Sequence, residues 1–238
     1  MANMNVARQI DWELLEFKKQ TFNLILLDGP YEINYNNREW DKPNSIDWGF
    51  LFLMSKIWLK NNGNVILFTG WSNLKKMLTI SSSYFNLQNI ITWDRVKTRR
   101  AKDKNLTSAS EFILWFTKKN LEEKNIILNK EDSLTKKSTS GMGHKNGSRY
   151  RRLSNVWTDI PPIVPWSEEY TGYDCQKPLA LIRRIIRLFS NPSDTIGDFF
   201  CGSGTTAEAS IIEKRNYFCS DINSKAIEIT NNRIKKYT

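Results

Sequence analysis

Short apolar runs, several too continuous to lie half in water, alternate along this chain with longer stretches of helical period. Runs at residues 6–10, 22–27, 65–68, 89–93, 112–116, 195–199 and 217–220 read as strands, and their lack of polar alternation suits strands covered on both faces. Between them, residues 12–19, 47–60, 73–80, 178–189, 205–214 and 224–236 read as helices. Pro178 suits a first helical position, where its missing N–H would be an orphan in any case. The alternation predicts an α/β fold, a doubly wound Rossmann-like sheet of about seven strands. At 238 residues the chain has room for one such domain, taken here to span 1–238.

Charge is distributed unevenly. The formal net charge is +10, and residues 95–152 hold 16 Lys and Arg against 6 Asp and Glu, which is the entire excess. A solvated surface loop is one explanation. The other is an element that binds a polyanion, because phosphates attract clustered cations and release their counterions. Within this segment the alternating pattern fades, and the small, polar, glycine-rich residues 138–148 read as a mobile loop.

Other classes are disfavoured. The sequence contains no apolar stretch of about 18 residues, so no membrane span is expected. Its first residues lack the basic-then-apolar layout of a secretory signal. Cys175, Cys201 and Cys219 are odd in number and lack metal-ligand spacing, and His144 is the lone histidine, so no metal site is expected. A reduced, cytoplasmic protein is the reading.

The strongest local feature is Asp198-Phe-Phe-Cys-Gly-Ser-Gly-Thr-Thr206, an apolar run ending in an acid, then a Gly-x-Gly turn into an alanine-bearing helix. Glycine lets the backbone turn sharply and approach a ligand, and such units hold nucleotide-like ligands at the carboxyl ends of strands. A phosphate loop ending in Gly-Lys-Ser/Thr is absent, which counts against an NTPase. Tyr217-Phe-Cys-Ser-Asp221 follows, and its acid is placed either to hold a ribose or to cap the next helix. Two acidic strand ends around a glycine turn favour a ligand with a ribose and a cationic amine, as in S-adenosylmethionine. A further acid-ended run, Leu24-Ile-Leu-Leu-Asp28, leads into Gly29-Pro30-Tyr31, which by itself is as readily an ordinary turn.

Taken together, these motifs resemble the DNA amino-methyltransferases, which act on adenine N6 or cytosine N4 through an Asp-Pro-Pro-Tyr loop. The order matches the subgroup whose catalytic motif precedes the cofactor motif. Asn37-Arg-Glu-Trp40, Asn155-Val-Trp-Thr-Asp-Ile-Pro-Pro162 and Gln176-Lys-Pro178 add to the likeness, which covers residues 5–94 as a catalytic half and 155–236 as a cofactor half. Residues 95–154 remain as a basic target-recognition insert.

The resemblance implies roles. Asp28 and the Gly29 carbonyl accept hydrogen bonds from the target amino group, Pro30 shapes the loop, and Tyr31 stacks on the extruded base. Asp198, Phe200, Gly202, Gly204 and Thr205 hold the methionine portion of S-adenosylmethionine, and Asp221 holds its ribose. Lys177 and Pro178 line the same site, and Asp11 contacts the cofactor's adenine. Lys97, Arg99, Arg100, Lys102 and Lys104, with Arg149, Arg151 and Arg152, contact DNA, chiefly its phosphates. The shortness of the insert leaves a short site, relaxed specificity, a homodimer or a recognition partner as options.

Two positions depart from the family. Gly29 replaces its first proline, which spares the carbonyl but implies a looser loop. Phe199 stands where a proline is usual and is expected to reshape a wall of the cofactor pocket. An acid at the loop's first position points to adenine. N4-cytosine or RNA adenine methylation and a non-catalytic nucleic-acid-binding subunit are the alternatives. C5 chemistry would need a Pro-Cys nucleophile, a context that none of the cysteines has.

Overall fold

The computed structural model describes residues 4–95, 108–129, 134–136 and 150–237. Its centre is β2 (Phe22–Leu27), whose six residues are all buried. Leu24 and Leu26 meet one apolar cluster and Phe22, Ile25 and Leu27 another, so both faces of the strand are covered. The first face packs on α3 (Leu179–Phe189), the second on α1 (Trp48–Trp58) and α2 (Trp71–Ser81).

The eight-stranded sheet runs β1-β10-β9-β2-β3-β5-β4-β8. Here β1 is Val6–Gln9, β3 Leu59–Thr69, β4 Phe85–Asp94, β5 Ser110–Lys118, β8 Val156–Trp157, β9 Thr195–Asp198 and β10 Asn216–Asp221. The strands from β1 to β3 are parallel, and β5 is antiparallel to both its neighbours. From β9 the chain passes through α4 (Thr205–Ile212) to β10 and on to α5 (Ser224–Ile234). From β2 it passes through α1 to β3, in the opposite direction across the sheet. The adjacent strands β2 and β9 therefore flank a switch point, and the crevice beyond their carboxyl ends is where such sheets bind ligands.

The doubly wound architecture matches the sequence expectation, with corrections. Residues 12–19 do not form a helix. Only Trp12–Leu14 makes a three-residue 3-10 turn, after which Leu15 is extended. Phe17 instead packs into an aromatic cluster with Phe22, Trp58, Phe199 and Phe218, so tertiary packing overrides the local period. Pro178 stands at the N-cap of α3 with extended ψ of 137°, one residue earlier than expected.

The segment taken as an insert contains β5, an internal strand, so 110–118 belong to the body of the domain. Lys97, Arg99, Arg100, Lys102, Lys104, Arg149 and the loop with His144 lie outside the described residues. Arg151 and Arg152 lie on β7 (Tyr150–Arg152), paired with β6 (Leu134–Lys136) in a separate two-stranded sheet. Among the described residues, no helix is long and apolar enough to cross a membrane.

Candidate active site

Register brings the acidic strand ends together. Leu26 pairs with Asp198 across β2 and β9, and Cys219 pairs with Asp198 across β10 and β9. Asp28 and Asp221 each stand two residues beyond those partners, so three carboxylates reach one crevice from three adjacent strands. Asp11 follows β1, at the same edge, where its carboxylate accepts from the Glu13 N–H at 3.1 Å and caps the short turn.

The glycine turn after β9 is held by these acids. Asp198 Oδ1 accepts from the Phe200 N–H at 3.0 Å, while Asp221 accepts from Gly202 at 2.9 Å and from Asn223 at 2.9 Å. Asp221 is thus not the cap of α5, whose N-cap is Asn223. Gly202 and Gly204 have φ of +48° and +75°, in the left-handed region that favours glycine. A Cβ on Gly204 would lie 2.8 Å from the Thr230 backbone, so this glycine lets α5 pack closely. A Cβ on Gly202 would lie 2.9 Å from the Tyr173 ring. Thr205 donates its hydroxyl to the Lys177 carbonyl at 3.1 Å, joining the turn to the residues ahead of α3.

Burial, and then the neighbouring Asp28 and Asp221 charges, push the Asp198 carboxyl up to about 7, against the Thr206 hydroxyl and Phe200 N–H that favour its charged form. Asp221 is raised too, again by burial. An edge rich in buried carboxylates, one of them surrounded by like charge, suits a cationic ligand. The residues expected to hold S-adenosylmethionine therefore fit its chemistry.

The Asp28-Gly29-Pro30-Tyr31 loop lies on the other side of the switch point. Lys177 Nζ approaches Asp28 Oδ1 at 2.7 Å and Glu111 Oε2 at 3.5 Å. The Tyr31 hydroxyl lies between the same two carboxylates, 3.5 Å from Asp28 and 3.3 Å from Glu111. Arg95 Nη1 pairs with Glu111 Oε1 at 2.7 Å. Burial raises the Asp28 pKa, Lys177 opposes that rise and Glu111 adds to it. Burial also works against the Lys177 charge, yet Asp28 and Glu111 outweigh it and hold the ammonium above the ordinary lysine range. Lys177 therefore turns its side chain to the Asp28 loop and its carbonyl to the glycine turn, linking the two halves.

Gly29 is buried rather than loose. A Cβ there would stand 3.2 Å from Trp48, 3.3 Å from Phe200 and 3.4 Å from Ile46, and its φ is outside the left-handed region. Lack of space, rather than an unusual backbone angle, distinguishes the position. Phe200 thereby joins the two loops. Phe199 points elsewhere: it is buried among Phe17, Phe22 and Trp58, so its ring is part of the core and not a pocket wall.

Sequence reasoning missed several residues. Glu111 and Arg95 complete the Asp28 network, and Tyr173 covers Gly202. Asp41 is 1% exposed and accepts from the N–H groups of Glu32, Ile33 and Tyr35, fixing the chain just after the loop. As the second of two acids among residues 37–43, Asp41 carried no signal beyond turn chemistry. The Asn73 side chain donates to the Tyr31 carbonyl, which ties the loop to α2.

Comparison with known proteins places this arrangement. The chain is 28% identical over 232 residues to the DNA adenine methyltransferase YhdJ of Escherichia coli K12, covering 91% of this chain and 77% of that one. It is 25% identical to the type II methyltransferase M2.MboI of Moraxella bovis, covering 93% and 84%. The PvuII DNA methyltransferase (cytosine-N4-specific) shares the fold at a TM-score of 0.70 and 15% identity, covering 95% and 85%. The M1.HpyAVI complex with SAM does so at 0.61 and 19%, covering 90% and 89%. The DNA methylase family model matches residues 22–232, a span holding both the Asp28 loop and the glycine turn that meet at the switch point. By sequence, order of motifs and fold, the chain belongs to the DNA methylase family.

Proposed function

We propose that this protein transfers a methyl group from S-adenosylmethionine to the N6 amino group of adenine in DNA. The observation that carries the reading is the meeting of Asp28 with the Asp198 turn across β2 and β9. When bound, S-adenosylmethionine supplies a methyl group activated by a positively charged sulfur. Asp198 and Asp221 complement the ligand's positive charge and ribose, and Asp11 stands at the edge expected for its adenine.

An exocyclic amine is a weak nucleophile because its lone pair is delocalised into the ring. Asp28 and the Gly29 carbonyl accept from its two N–H bonds and favour a more tetrahedral nitrogen. Their pull grows as positive charge develops there, so it acts mainly on the transition state. With S-adenosylmethionine bound, the nitrogen would bond to the methyl carbon as the C–S bond broke, the electron pair of that bond staying with sulfur. The nitrogen's surplus proton then leaves for Asp28, which burial makes a better base.

The Asp at the loop's first position and the named activity of the Escherichia coli relative favour adenine. The type II relatives favour a role beside a restriction enzyme, hence in the cytoplasm. The clustered cations of 95–104 and 149–152 suit DNA phosphates, and a second copy or a recognition partner would extend a short insert.

Radiolabelled methyl transfer to duplex DNA, RNA and free adenine, followed by nucleoside analysis, tests the reading. N6-methyladenine in DNA is the expected product. N4-methylcytosine would overturn the base assignment, and label confined to RNA or free adenine would overturn the substrate.

Gly29→Pro, which installs the residue usual in the family, is expected to slow transfer by on the order of tenfold or more, because displaced loops lose alignment steeply. The proline Cβ would stand 3.2 Å from Trp48 and 3.3 Å from Phe200, so those rings or the loop must give by a few tenths of an ångström. Single-turnover rates check this, and a variant as fast as the parent would mean that the surrounding rings yield without moving the Asp28 loop.

A further inference from the structure

Lys177 engages one oxygen of the carboxylate that is assigned to the target amino group. Its ammonium lies 2.7 Å from Asp28 Oδ1, so in the free protein that oxygen already has a donor. The Lys177 side chain is only 9% exposed. Losing its carboxylate would leave a buried charge without a partner, which is strongly unfavourable. A second carboxylate is in place. Glu111 Oε2 lies 3.5 Å from the same nitrogen, and Glu111 is itself 9% exposed on its side chain.

Glu111 is well anchored for this task. It lies near the start of β5, paired in register with Trp93 of β4, so the sheet fixes its backbone. Arg95 engages Oε1, which directs Oε2 toward Lys177 and the Tyr31 hydroxyl. The Arg95 backbone N–H in turn donates to the Ala109 carbonyl at 2.8 Å, continuing the pairing of β4 with β5 beyond Asp94 and Ser110. Lys177 Nζ also lies 5.0 Å from the Phe68 ring centre and 5.6 Å from that of Tyr31, aromatic faces that attract a cation.

We propose that Glu111 is a positioning residue for methyl transfer, holding the Lys177 ammonium and Tyr31 hydroxyl and taking over the ammonium when the target amine engages Asp28. The inference rests on the proposed role of Asp28. A small shift of Nζ toward Glu111 frees Asp28 Oδ1 for the amine while the ammonium stays paired. Two carboxylates, one ammonium and one guanidinium make a neutral set, so the exchange moves no net charge into the site. Glu111 also bears on Asp28 directly, since its negative charge raises the Asp28 carboxyl. The groups acting on Asp28 are Lys177 ahead of α3, Glu111 on β5 and Tyr31 in its own loop, with Cys175 beside Lys177 and Asp198 at the end of β9.

Glu111→Gln keeps the size and an acceptor oxygen and removes the charge. Its single-turnover rate is expected to fall on the order of tenfold or more, with KM for DNA and Kd for S-adenosylmethionine within about twofold. The Asp28 carboxyl carbon, followed by 13C NMR in the ligand-free protein, is expected to titrate at lower pH than in the parent. Glu111→Asp, which restores the charge on a shorter arm, is expected to recover part of the rate. The proposal is overturned if Glu111→Gln transfers methyl groups within about threefold of the parent, or if the rate falls but the Asp28 titration does not move. Failure of the parent protein to methylate DNA at all would instead count against the functional reading, since the Asp28 titration needs neither substrate nor cofactor.

Discussion

Asp28→Asn is expected to slow methyl transfer by on the order of 10²–10³-fold, about 3–4 kcal/mol in the barrier, the range for losing one preorganised electrostatic contact. The substitution preserves volume and removes the charge that opposes the positive charge growing on the target nitrogen. It also leaves the Lys177 ammonium to Glu111 alone, 3.5 Å away in the free protein, so that ammonium stays paired and the fold is expected to survive. The hydrogen bonds of the turn run from Phe200 and Gly202 to Asp198 and Asp221, and Asp28 acts on it through charge, by raising the Asp198 carboxyl. At pH 8, where Asp198 is largely ionised in parent and variant alike, the dissociation constant for S-adenosylmethionine should stay within about twofold, a loss in the chemical step and not in uniform binding. Single-turnover transfer and calorimetric binding on the same preparation separate the two. A rate within about tenfold of the parent, under about 1.4 kcal/mol, would remove Asp28 from the catalytic role.

That assignment was legible in the sequence because Asp28, Asp198 and Asp221 each end an apolar run. A run buried on both faces announces a central strand, and an acid at its carboxyl end announces the crevice edge. Glu111 gave no comparable notice. It lies 80 residues from Tyr31 in the chain, and only the antiparallel placement of β5 between β3 and β4 brings it to the site. The available signal was an acid heading the otherwise apolar run Phe112–Phe116, at the opposite end from where strand-end acids are sought. In an antiparallel strand, the start lies at the carboxyl edge of its parallel neighbours. Orientation could not be read from the run itself, so the signal could not be used. Phe17 and Phe199 illustrate the same limit in the core. Local period put Phe17 on a helix and the family resemblance put Phe199 on a pocket wall, whereas aromatic packing under β2 claims both. A glycine at position 29 implies a loosened loop by sequence alone, whereas Trp48 and Phe200, distant in sequence, crowd the space a side chain would need.

The affinity for S-adenosylmethionine is expected to rise about tenfold between pH 6 and pH 8, through ionisation of Asp198. Its carboxyl is pushed up to about 7 by burial and by Asp28 and Asp221, so near pH 6 most free protein carries the proton and near pH 8 little does. A cationic ligand favours the ionised form, so binding at pH 6 releases a proton, and each pH unit below the free-protein value costs up to about tenfold. Stability runs the other way. Because the folded Asp198 carboxyl titrates above the ordinary aspartate value of 3.8, this group binds more proton in the native state than in the unfolded chain between about pH 4 and 7. The ligand-free protein therefore loses stability as pH rises through that window, and the ligand opposes the loss by binding only the folded form. Asp198→Asn should abolish the Asp198 part of both slopes and weaken binding at pH 8 by on the order of tenfold. Calorimetry in buffers of different ionisation enthalpy counts the protons released. Any titration of the ligand itself is common to both proteins, so the difference between them isolates Asp198. Identical pH dependences in the parent and Asp198→Asn would mean that this carboxyl does not face the positive charge of the ligand.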